Sequence, residues 1–221
     1  MSLVSEPDYV LNQRRRMIDD QLRSRGIRDE RILSAMAHVP RTEFVPPGLR
    51  DQAYEDHPIP LPKGQTISQP FIVALMLQAI APQPSEVVLE IGTGSGYLTA
   101  LLAELFNRVY SIERHLELAA SAEHILVQLG YTNFEIISGD GTHGLPAHAP
   151  YDAIMVSAAA PQIPPALFVQ LREGGRMIIP VGPSQAQQLQ RVEKKEGLRL
   201  VESLEGCRFV PLVSDSEPGL I

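Results

Sequence analysis

The chain has 221 residues, of which 44% are hydrophobic, and its formal net charge is −7. This size and composition predict one α/β domain with an N-terminal extension and a sizeable hydrophobic core. No apolar run approaches the ~18 residues that span a bilayer, which argues against a membrane protein. The acidic balance argues against a nucleic-acid partner. The absence of a Cys/His cluster argues against a metal site.

Cysteine usage and the first residues of the chain predict its compartment. The single cysteine, Cys207, cannot form an intrachain disulfide, and its expected role is that of a small buried apolar residue. Residues 1–8 do not combine a charged segment with an apolar one, so we expect no signal peptide. These features predict a reducing, cytoplasmic location.

The first third of the chain combines helical periodicity with proline-rich loops. The predicted helices span 5–25, 29–37 and 71–81. Ser5 suits the start of the first helix and Gly26 suits its end. Between the second and third helices, the prolines from Pro40 to Pro62 exclude regular helix and fix the backbone. Such a long ordered connection often carries function.

From Val87 onwards, short apolar strands alternate with helical segments. The predicted strands span 87–91, 108–112, 134–138, 152–157 and 176–181, and the helices span 97–105, 114–129 and 164–172. Gly130 and the pair Gly174–Gly175 suit the ends of the second and third of these helices. Repeated βα units predict a mostly parallel sheet with helices on both faces. Late strands over 189–192 and 198–211 are predicted to be antiparallel.

These patterns divide the chain into three regions. Residues 1–82 form the predicted N-terminal helices and loops, which pack on the core. Residues 83–213 form the core itself, and residues 214–221 are a polar tail that we expect to be mobile.

A glycine-rich turn follows the first strand of the core. Gly92, Gly94 and Gly96 come directly after Val87–Ile91, and a helical pattern begins at Tyr97. Glycine allows a ligand to lie directly on the backbone, and the helix start offers free N–H groups. The dinucleotide fingerprint is G-x-G-x-x-G, but here the third glycine comes one residue early. The spacing favours a smaller ligand and resembles the loop of S-adenosylmethionine (SAM) methyltransferases, whereas the alternative is a glycine-rich turn of some other α/β protein.

An acidic residue ends the second strand of the core. Glu113 lies 23 residues after Glu90 and closes the segment Arg108–Glu113. An acid at this place is positioned to accept hydrogen bonds from both hydroxyls of a ribose. NAD and SAM both contain that ribose, so Glu113 predicts an adenosine ligand without distinguishing between them. A solvated acid at a strand end is the alternative.

Further segments narrow the resemblance to one family. They are Val39–Arg41, Gly64–Pro70, Ser138–Gly141, Ala149–Pro161, Leu171–Gly182 and Phe209–Leu212. Together they closely resemble protein-L-isoaspartate O-methyltransferases, from about Arg14 to Leu212. The element Thr66–Pro70 is the most diagnostic, because SAM methyltransferases in general lack it. The fold that the resemblance implies is the Rossmann-like fold of class I SAM-dependent methyltransferases.

The resemblance implies an activity and a set of site residues. The family transfers the SAM methyl group to the α-carboxyl of L-isoaspartyl residues in damaged proteins and peptides, leaving S-adenosylhomocysteine (SAH). The ester then collapses to a succinimide that hydrolyses partly to normal aspartate. Ser68 matches the active-site serine of the family. The implied cofactor-binding residues are Gly92, Thr93, Gly94, Gly96, Glu113, Arg114, Asp140 and Gly141, and the implied substrate-binding residues are Thr66, Ile67, Gln69 and Leu212.

Simple chemistry explains why the sequence offers no acid–base pair. A carboxylate with a pKa near ~4 is already ionised at neutral pH, so the nucleophile needs no strong base. Alignment of the carboxylate with an activated methyl donor is the remaining requirement. His57, His143 and His148 are therefore expected to be surface or loop residues, and Val213 is expected to make no side-chain contact with the cofactor.

Several alternatives remain open on the sequence alone. Ser68 also suits the N-cap of the following helix, and Asp140 suits a Gly-Asp-Gly turn. The chain is expected to be a monomer that acts on isoaspartyl proteins and peptides. The alternative functions are methyl transfer to another carboxylate or small molecule, a catalytically silent SAM-binding adaptor, and a nicotinamide oxidoreductase.

Overall fold

The computed structural model describes residues 7–214. Its α-helices are α1 (Asp8–Arg16), α2 (Glu30–His38), α3 (Pro70–Ile80), α4 (Tyr97–Leu105), α5 (Leu116–Gln128) and α6 (Pro165–Val169). Its strands are β1 (Ile59–Pro60), β2 (Thr66–Ile67), β3 (Val87–Ile91), β4 (Arg108–Glu113), β5 (Phe134–Ser138), β6 (Tyr151–Val156), β7 (Leu171–Val181), β8 (Gln187–Lys195) and β9 (Leu198–Cys207).

The main sheet has the order β5-β4-β3-β6-β7-β8-β9. The strands from β5 to β7 pair in parallel, whereas β8 and β9 are antiparallel additions at one edge. This confirms the predicted Rossmann-like sheet and its antiparallel late strands. The chain proceeds outwards from β3 to β5 and then returns to β6 beside β3. The carboxyl ends of β3 and β6 are therefore the topological switch point, where ligands bind in open α/β sheets.

Apolar side chains on the two faces of the sheet form two separate cores. In β3, Val88 joins the core that includes the N-terminal helices, α3 and α4, whereas Leu89 joins the core beneath α6. Ile178 and Ile179 divide between the same two cores in β7. Each fully buried side chain of this size contributes about 1.5–3 kcal/mol relative to an exposed one. Helices therefore cover both faces, as the alternating pattern predicts.

The N-terminal helix continues past α1 first as a π-helix and then as a 3₁₀ helix. A π-helical segment spans Met17–Leu22 and a 3₁₀ segment spans Arg23–Arg25, and the left-handed Gly26 ends the helix as predicted. The predicted start at Ser5 lies outside the described residues. The second helix has a side-chain cap, because Asp29 accepts a hydrogen bond of 2.9 Å from the amide of Arg31.

The proline-rich connection is more regular than the sequence suggests. It contains short 3₁₀ turns over Arg41–Phe44, Pro47–Gln52 and Pro62–Gly64. It also contains a two-stranded ribbon in which Ile59 faces Ile67 and Pro60 faces Thr66. This ribbon brings the segment around Ser68 to the carboxyl end of the main sheet.

Two predicted boundaries near the fifth core strand are wrong. The predicted helix over 164–172 ends at Val169, because Leu171 already pairs with Tyr151 in the sheet. Gly174 and Gly175 lie inside β7 rather than at a helix end. The register between β6 and β7 shifts at this point, and a Cβ on Gly175 would lie 2.8 Å from the carbonyl oxygen of Arg172. The glycines therefore serve an irregularity in the strand.

Two expectations near the C-terminus also need adjustment. The predicted strand over 198–211 ends at Cys207, and residues 208–213 cross the carboxyl end of the sheet, where Pro211 bridges to Ala159. Of the predicted tail, residues 215–221 lie outside the described residues. Within 7–214, no helix has both the length and the apolar character needed to cross a bilayer.

Candidate active site

A cavity lies at the switch point of the sheet. Four segments, 64–68, 91–95, 112–115 and 209–213, line it, and Gly139, Gly141, Ser157 and Ala158 lie among the remaining lining residues. The cavity therefore brings the glycine-rich turn, the end of β4 and the segment containing Ser68 to one place. The predicted site residues among its lining are Thr66, Ile67, Ser68, Gly92, Thr93, Gly94, Glu113, Arg114, Gly141 and Leu212.

The glycine-rich turn forms one wall of this cavity. Gly92, Gly94 and Gly96 have φ values of +90°, +56° and +88°, a region that residues with a Cβ rarely adopt. The turn is tied to the sheet by the amide of Gly92, which donates to the carbonyl of Ile112 at 2.8 Å. Gly96 lies behind the wall rather than on it. A Cβ there would approach the Cβ of Ala122 to 3.0 Å, so Gly96 serves the packing of α4 against α5.

Glu113 is held against the cavity by the backbone. Only 5% of the residue is exposed, and its two carboxylate oxygens accept hydrogen bonds from the amides of Gly94 and His115, each at 2.9 Å. Each oxygen of an ionised carboxylate has further acceptor capacity. The carboxylate is thus fixed in orientation and still able to accept two hydroxyl donors, as a ribose requires.

The turn after β5 supports the part of the cavity next to the end of β4. Asp140 does not line the cavity; it accepts hydrogen bonds from the amide and hydroxyl of Thr142 at 2.8 and 2.7 Å. It also accepts from the hydroxyl of Ser214 at 3.1 Å. Gly141 does line the cavity, and a Cβ there would lie 2.5 Å from Cγ2 of Ile91. Asp140 therefore shapes the turn that exposes Gly141.

A buried polar network beneath the glycine-rich turn was not foreseen from the sequence. Glu90 is fully buried, and one of its oxygens accepts hydrogen bonds of 2.6 Å from the hydroxyls of Thr99 and Ser111. The Ser111 hydroxyl is also 2.5 Å from that of Thr93. Burial, with a smaller contribution from the nearby Glu113, raises the pKa of Glu90 to about 8 against the lowering effect of the hydrogen bonds from Ser111 and Thr99. Glu90 is therefore mainly protonated at neutral pH.

The network leaves one polar atom unsatisfied. The second oxygen of Glu90 is buried and has no hydrogen-bond partner among the described residues. The only sequence signal for this network is the acid two residues before Gly92, on a strand that is otherwise apolar. The left-handed glycines and the fixed carboxylate of Glu113 beside them together fit an adenosine ligand with a polar, charged tail.

Ser68 is not a helix cap. The N-cap of α3 is Gln69, which makes no side-chain capping bond, and the helix begins at Pro70. Among residues 7–214, the Ser68 side chain makes no hydrogen bond, although it lines the cavity. Its carbonyl oxygen accepts a hydrogen bond of 2.9 Å from Nη2 of Arg41. The hydroxyl is thus free to bind a ligand while the backbone is held in place.

A second cavity adjoins the first at Ser68. It shares Thr66, Ser68 and Phe209 with the first cavity, and its other lining residues include Gln69, Ile72, Gln187 and Arg208. Gln69 therefore faces this neighbouring space rather than the glycine-rich turn. The segment 209–213, whose first residue lines both cavities, is anchored next to the sheet. The amide of Leu212 donates a hydrogen bond of 2.8 Å to the carbonyl of Ala159.

Some lining residues were not named as site residues from the sequence. Val213 lines the cavity, and the expectation that its side chain makes no contact with the cofactor stays a prediction. Ser95, His115 and Ser157 also line it. Ser95 lies within the glycine-rich turn, His115 near the start of the helix predicted over 114–129, and Ser157 at the end of the strand predicted over 152–157. Cys207 lines the second cavity, and burial raises the pKa of its thiol to about 11. It is therefore a neutral thiol at physiological pH rather than a nucleophile.

Known proteins resemble this chain over nearly its whole length. The family model described as Protein-L-isoaspartate(D-aspartate) O-methyltransferase (PCMT) matches residues 12–217. A protein-L-isoaspartate O-methyltransferase of Koribacter versatilis (strain Ellin345) is 57% identical over 202 residues, which are 91% of this chain and 91% of that protein. The protein of the same name from Methanoculleus marisnigri is 50% identical over 208 residues, which are 94% of each chain.

Solved structures agree with the sequence comparison. A protein-L-isoaspartate O-methyltransferase structure has a TM-score of 0.81 and 29% identity, covering 91% of this chain and 66% of its own. A Plasmodium falciparum structure of that type, in complex with S-adenosyl-L-homocysteine, has a TM-score of 0.78 and 28% identity, covering 89% and 96%. The motifs quoted from the sequence and the geometry of the cavity lead to the same result: this chain belongs to the protein-L-isoaspartate(D-aspartate) O-methyltransferase family.

Proposed function

We propose that the cavity at the switch point is the active site in which this chain carries out the reaction of its family. That reaction transfers the methyl group of SAM to the α-carboxyl group of an L-isoaspartyl residue in a damaged protein or peptide. The observation that carries the proposal is the convergence of Ser68 and Glu113 on one cavity. These residues come from distant parts of the chain, and the diagnostic Thr66–Pro70 element includes one of them.

The glycine-rich side of the cavity is proposed to bind the cofactor. Glu113 would accept hydrogen bonds from the ribose hydroxyls, since both of its oxygens are already oriented by backbone amides. Gly92, Thr93 and Gly94 would bind the methionine portion, with Gly96 supporting the turn. Arg114 and Gly141 would border the adenosine portion, and Asp140 would hold the turn that exposes Gly141. When bound, SAM supplies an activated methyl group on a sulfonium centre.

The opposite side of the cavity is proposed to bind the substrate carboxylate. The Ser68 hydroxyl would donate a hydrogen bond to one carboxylate oxygen and leave the other directed at the donor group. Thr66, Ile67, Gln69 and Leu212 would contact the flanking peptide. A carboxylate is already ionised at neutral pH, so orientation and exclusion of water are what these residues need to provide.

The remaining proposals concern the substrates, the oligomeric state and the location of the protein. The substrates are isoaspartyl-containing proteins and peptides, rather than nucleic acids or membranes. A monomer would suffice, because the described residues of a single chain line both walls of the cavity. A cytoplasmic location agrees with the free Cys207.

The decisive experiment is transfer of tritium from methyl-labelled SAM to a pair of peptides. The two peptides have the same sequence, but one contains an L-isoaspartyl residue and the other its aspartyl counterpart. We expect label in the isoaspartyl peptide alone. Equal labelling of both peptides would indicate a less specific carboxyl methyltransferase. SAH binding without labelling would indicate a silent SAM-binding protein.

A further inference from the structure

A buried arginine lies directly behind the proposed substrate wall. Arg41 belongs to the Val39–Arg41 motif, and it is fully buried in a 3₁₀ turn. Its Nε donates to the carbonyl of Ala53 at 2.7 Å, and its Nη2 donates to the carbonyl of Ser68 at 2.9 Å. Arg41 therefore joins two separate parts of the proline-rich connection, one of which ends in the active-site serine.

The same guanidinium also contacts the cofactor side of the cavity. It lies over the ring of Tyr97, with 4.6 Å between Cζ and the ring centre. Tyr97 is the first residue of α4 and follows the glycine-rich turn directly. Arg41 thus touches both the segment that carries the Ser68 hydroxyl and the residue after the turn proposed to hold the methyl donor.

The charge of Arg41 is not neutralised within the described part of the chain. No carboxylate of residues 7–214 forms an ion pair with it, and its Nη1 has no hydrogen-bond partner there. Burial lowers the pKa of Arg41, but an arginine keeps its charge in proteins. An unpaired buried charge is costly, and a merely structural link between two carbonyls could be made by a neutral side chain. The charge lies beside a wall proposed to receive an anionic substrate.

We propose that Arg41 is a positioning residue for methyl transfer, which holds the Ser68 peptide so that the serine hydroxyl faces the donor. The proposal rests on the proposed function of Ser68. It predicts that Arg41 acts on catalysis through Ser68 and has little effect on cofactor binding, because the Glu113 carboxylate is held by other groups.

The test is a double-mutant cycle. Arg41→Lys keeps the charge but loses the forked geometry that reaches both carbonyls. We expect it to lower kcat/KM for an isoaspartyl peptide about ten- to a hundredfold, while SAH affinity changes less than about threefold. In a Ser68→Ala background, the same substitution should cost less than about twofold in kcat/KM, although it should lower Tm equally in both backgrounds.

A second arginine, which also bonds two carbonyls but pairs with Glu86, provides a control away from the two cavities. Arg176 is largely buried and donates from Nε and Nη2 to the carbonyls of Ile80 and Ala81 at 2.9 and 3.0 Å. It lines neither cavity. Arg176→Lys should therefore lower Tm but leave kcat/KM within about twofold of the wild type.

Two results would overturn the proposal. One is wild-type kcat/KM in Arg41→Lys, and the other is an equal loss of activity with and without the Ser68 hydroxyl. If Arg41→Lys does not fold, Arg41→Gln removes the buried charge and permits the same cycle. Failure of the proposed function is separate, since it would be an inability of the wild type itself to label the isoaspartyl peptide.

Discussion

The two walls of the cavity are held in place by different kinds of interaction. On the cofactor wall, Glu113 is fixed by two backbone amides. The amide of Gly94 lies on the turn after the neighbouring strand, and that of His115 lies two residues after Glu113. On the substrate wall, Ser68 is fixed by the side chain of Arg41, which is 27 residues away. The first wall follows from the geometry of parallel strands, whereas the second depends on a short two-stranded ribbon and one distant side chain. We therefore expect the geometry of the cofactor wall to be altered by changes to the sheet, and that of the substrate wall to be altered by substitution of single side chains.

The largest expected effect concerns the network beneath the cofactor wall. Burial raises the pKa of Glu90 from 4.5 to about 8, so the folded protein keeps a proton that the unfolded chain loses above pH ~4.5. The contribution of Glu90 to the free energy of unfolding is fully present below pH ~4.5 and falls as the pH rises. It levels off above about 8, the pKa in the folded state. The total loss should be several kcal/mol, since one pKa unit corresponds to about 1.4 kcal/mol.

Glu90→Gln removes this titration and keeps an acceptor for Thr99 and Ser111. Urea unfolding of both proteins between pH 5 and pH 9 measures the difference. The wild type should lose stability relative to Glu90→Gln as pH rises. Parallel pH profiles for the two proteins would show that Glu90 titrates at its ordinary pKa.

The next prediction concerns the substrate wall. Ser68→Ala should lower kcat/KM for an isoaspartyl peptide by about ten- to a hundredfold, since a hydrogen bond to a charged group contributes about 1.5–3 kcal/mol. Ser68→Asp should lower it further, because a second negative charge repels the substrate carboxylate. Tm should be nearly unchanged in Ser68→Ala, since Gln69 is the N-cap of α3.

Steady-state kinetics, SAH calorimetry and thermal melts on the three proteins distinguish the two roles. The expected pattern is a loss of catalysis with intact SAH binding and stability. Wild-type activity in Ser68→Asp would exclude contact between Ser68 and the substrate carboxylate. A Tm loss in Ser68→Ala, of the size that one cap contributes, would show that the hydroxyl is structural after all.

The cofactor wall has a matching prediction. Glu113→Ala should weaken SAH binding by about 1–3 kcal/mol, because the ribose hydroxyls and two backbone amides lose their acceptor. Glu113→Gln keeps one acceptor oxygen and should lose less. Calorimetric titration with SAH provides the measurement, and Ser68→Ala serves as the control on the other wall. Unchanged affinity in Glu113→Ala would contradict the ribose assignment, and tight NAD binding by the wild type would contradict the choice of cofactor.

The sequence predicts the cofactor wall better than the substrate wall for a physical reason. The glycine-rich turn, β4 and Glu113 are adjacent in a βα pattern, so strand periodicity and spacing suffice to place them. Arg41 and Ser68 meet through proline-rich loops whose path no periodicity encodes. Gly174 and Gly175 illustrate the same limit. By their position along the sequence these glycines suit a helix end, but in the fold they lie in a bulged strand because β7 pairs with β6 there.

The smallest expected effect concerns a contact between the rims of the two walls. Lys63 lies in the turn that precedes Ser68, and its Nζ is 3.2 Å from a carboxylate oxygen of Glu117 in the first turn of α5. Both side chains are largely exposed, so solvent and salt screen the pair, which should contribute about 0–1 kcal/mol. Lys63→Ala should therefore change SAH affinity by less than about fivefold, and raising the salt concentration should abolish the difference. Calorimetry at low and high salt tests this. A larger loss that persists in high salt would mean that the surface pair holds the walls together, and the buried Arg41 would then not be the main link between them.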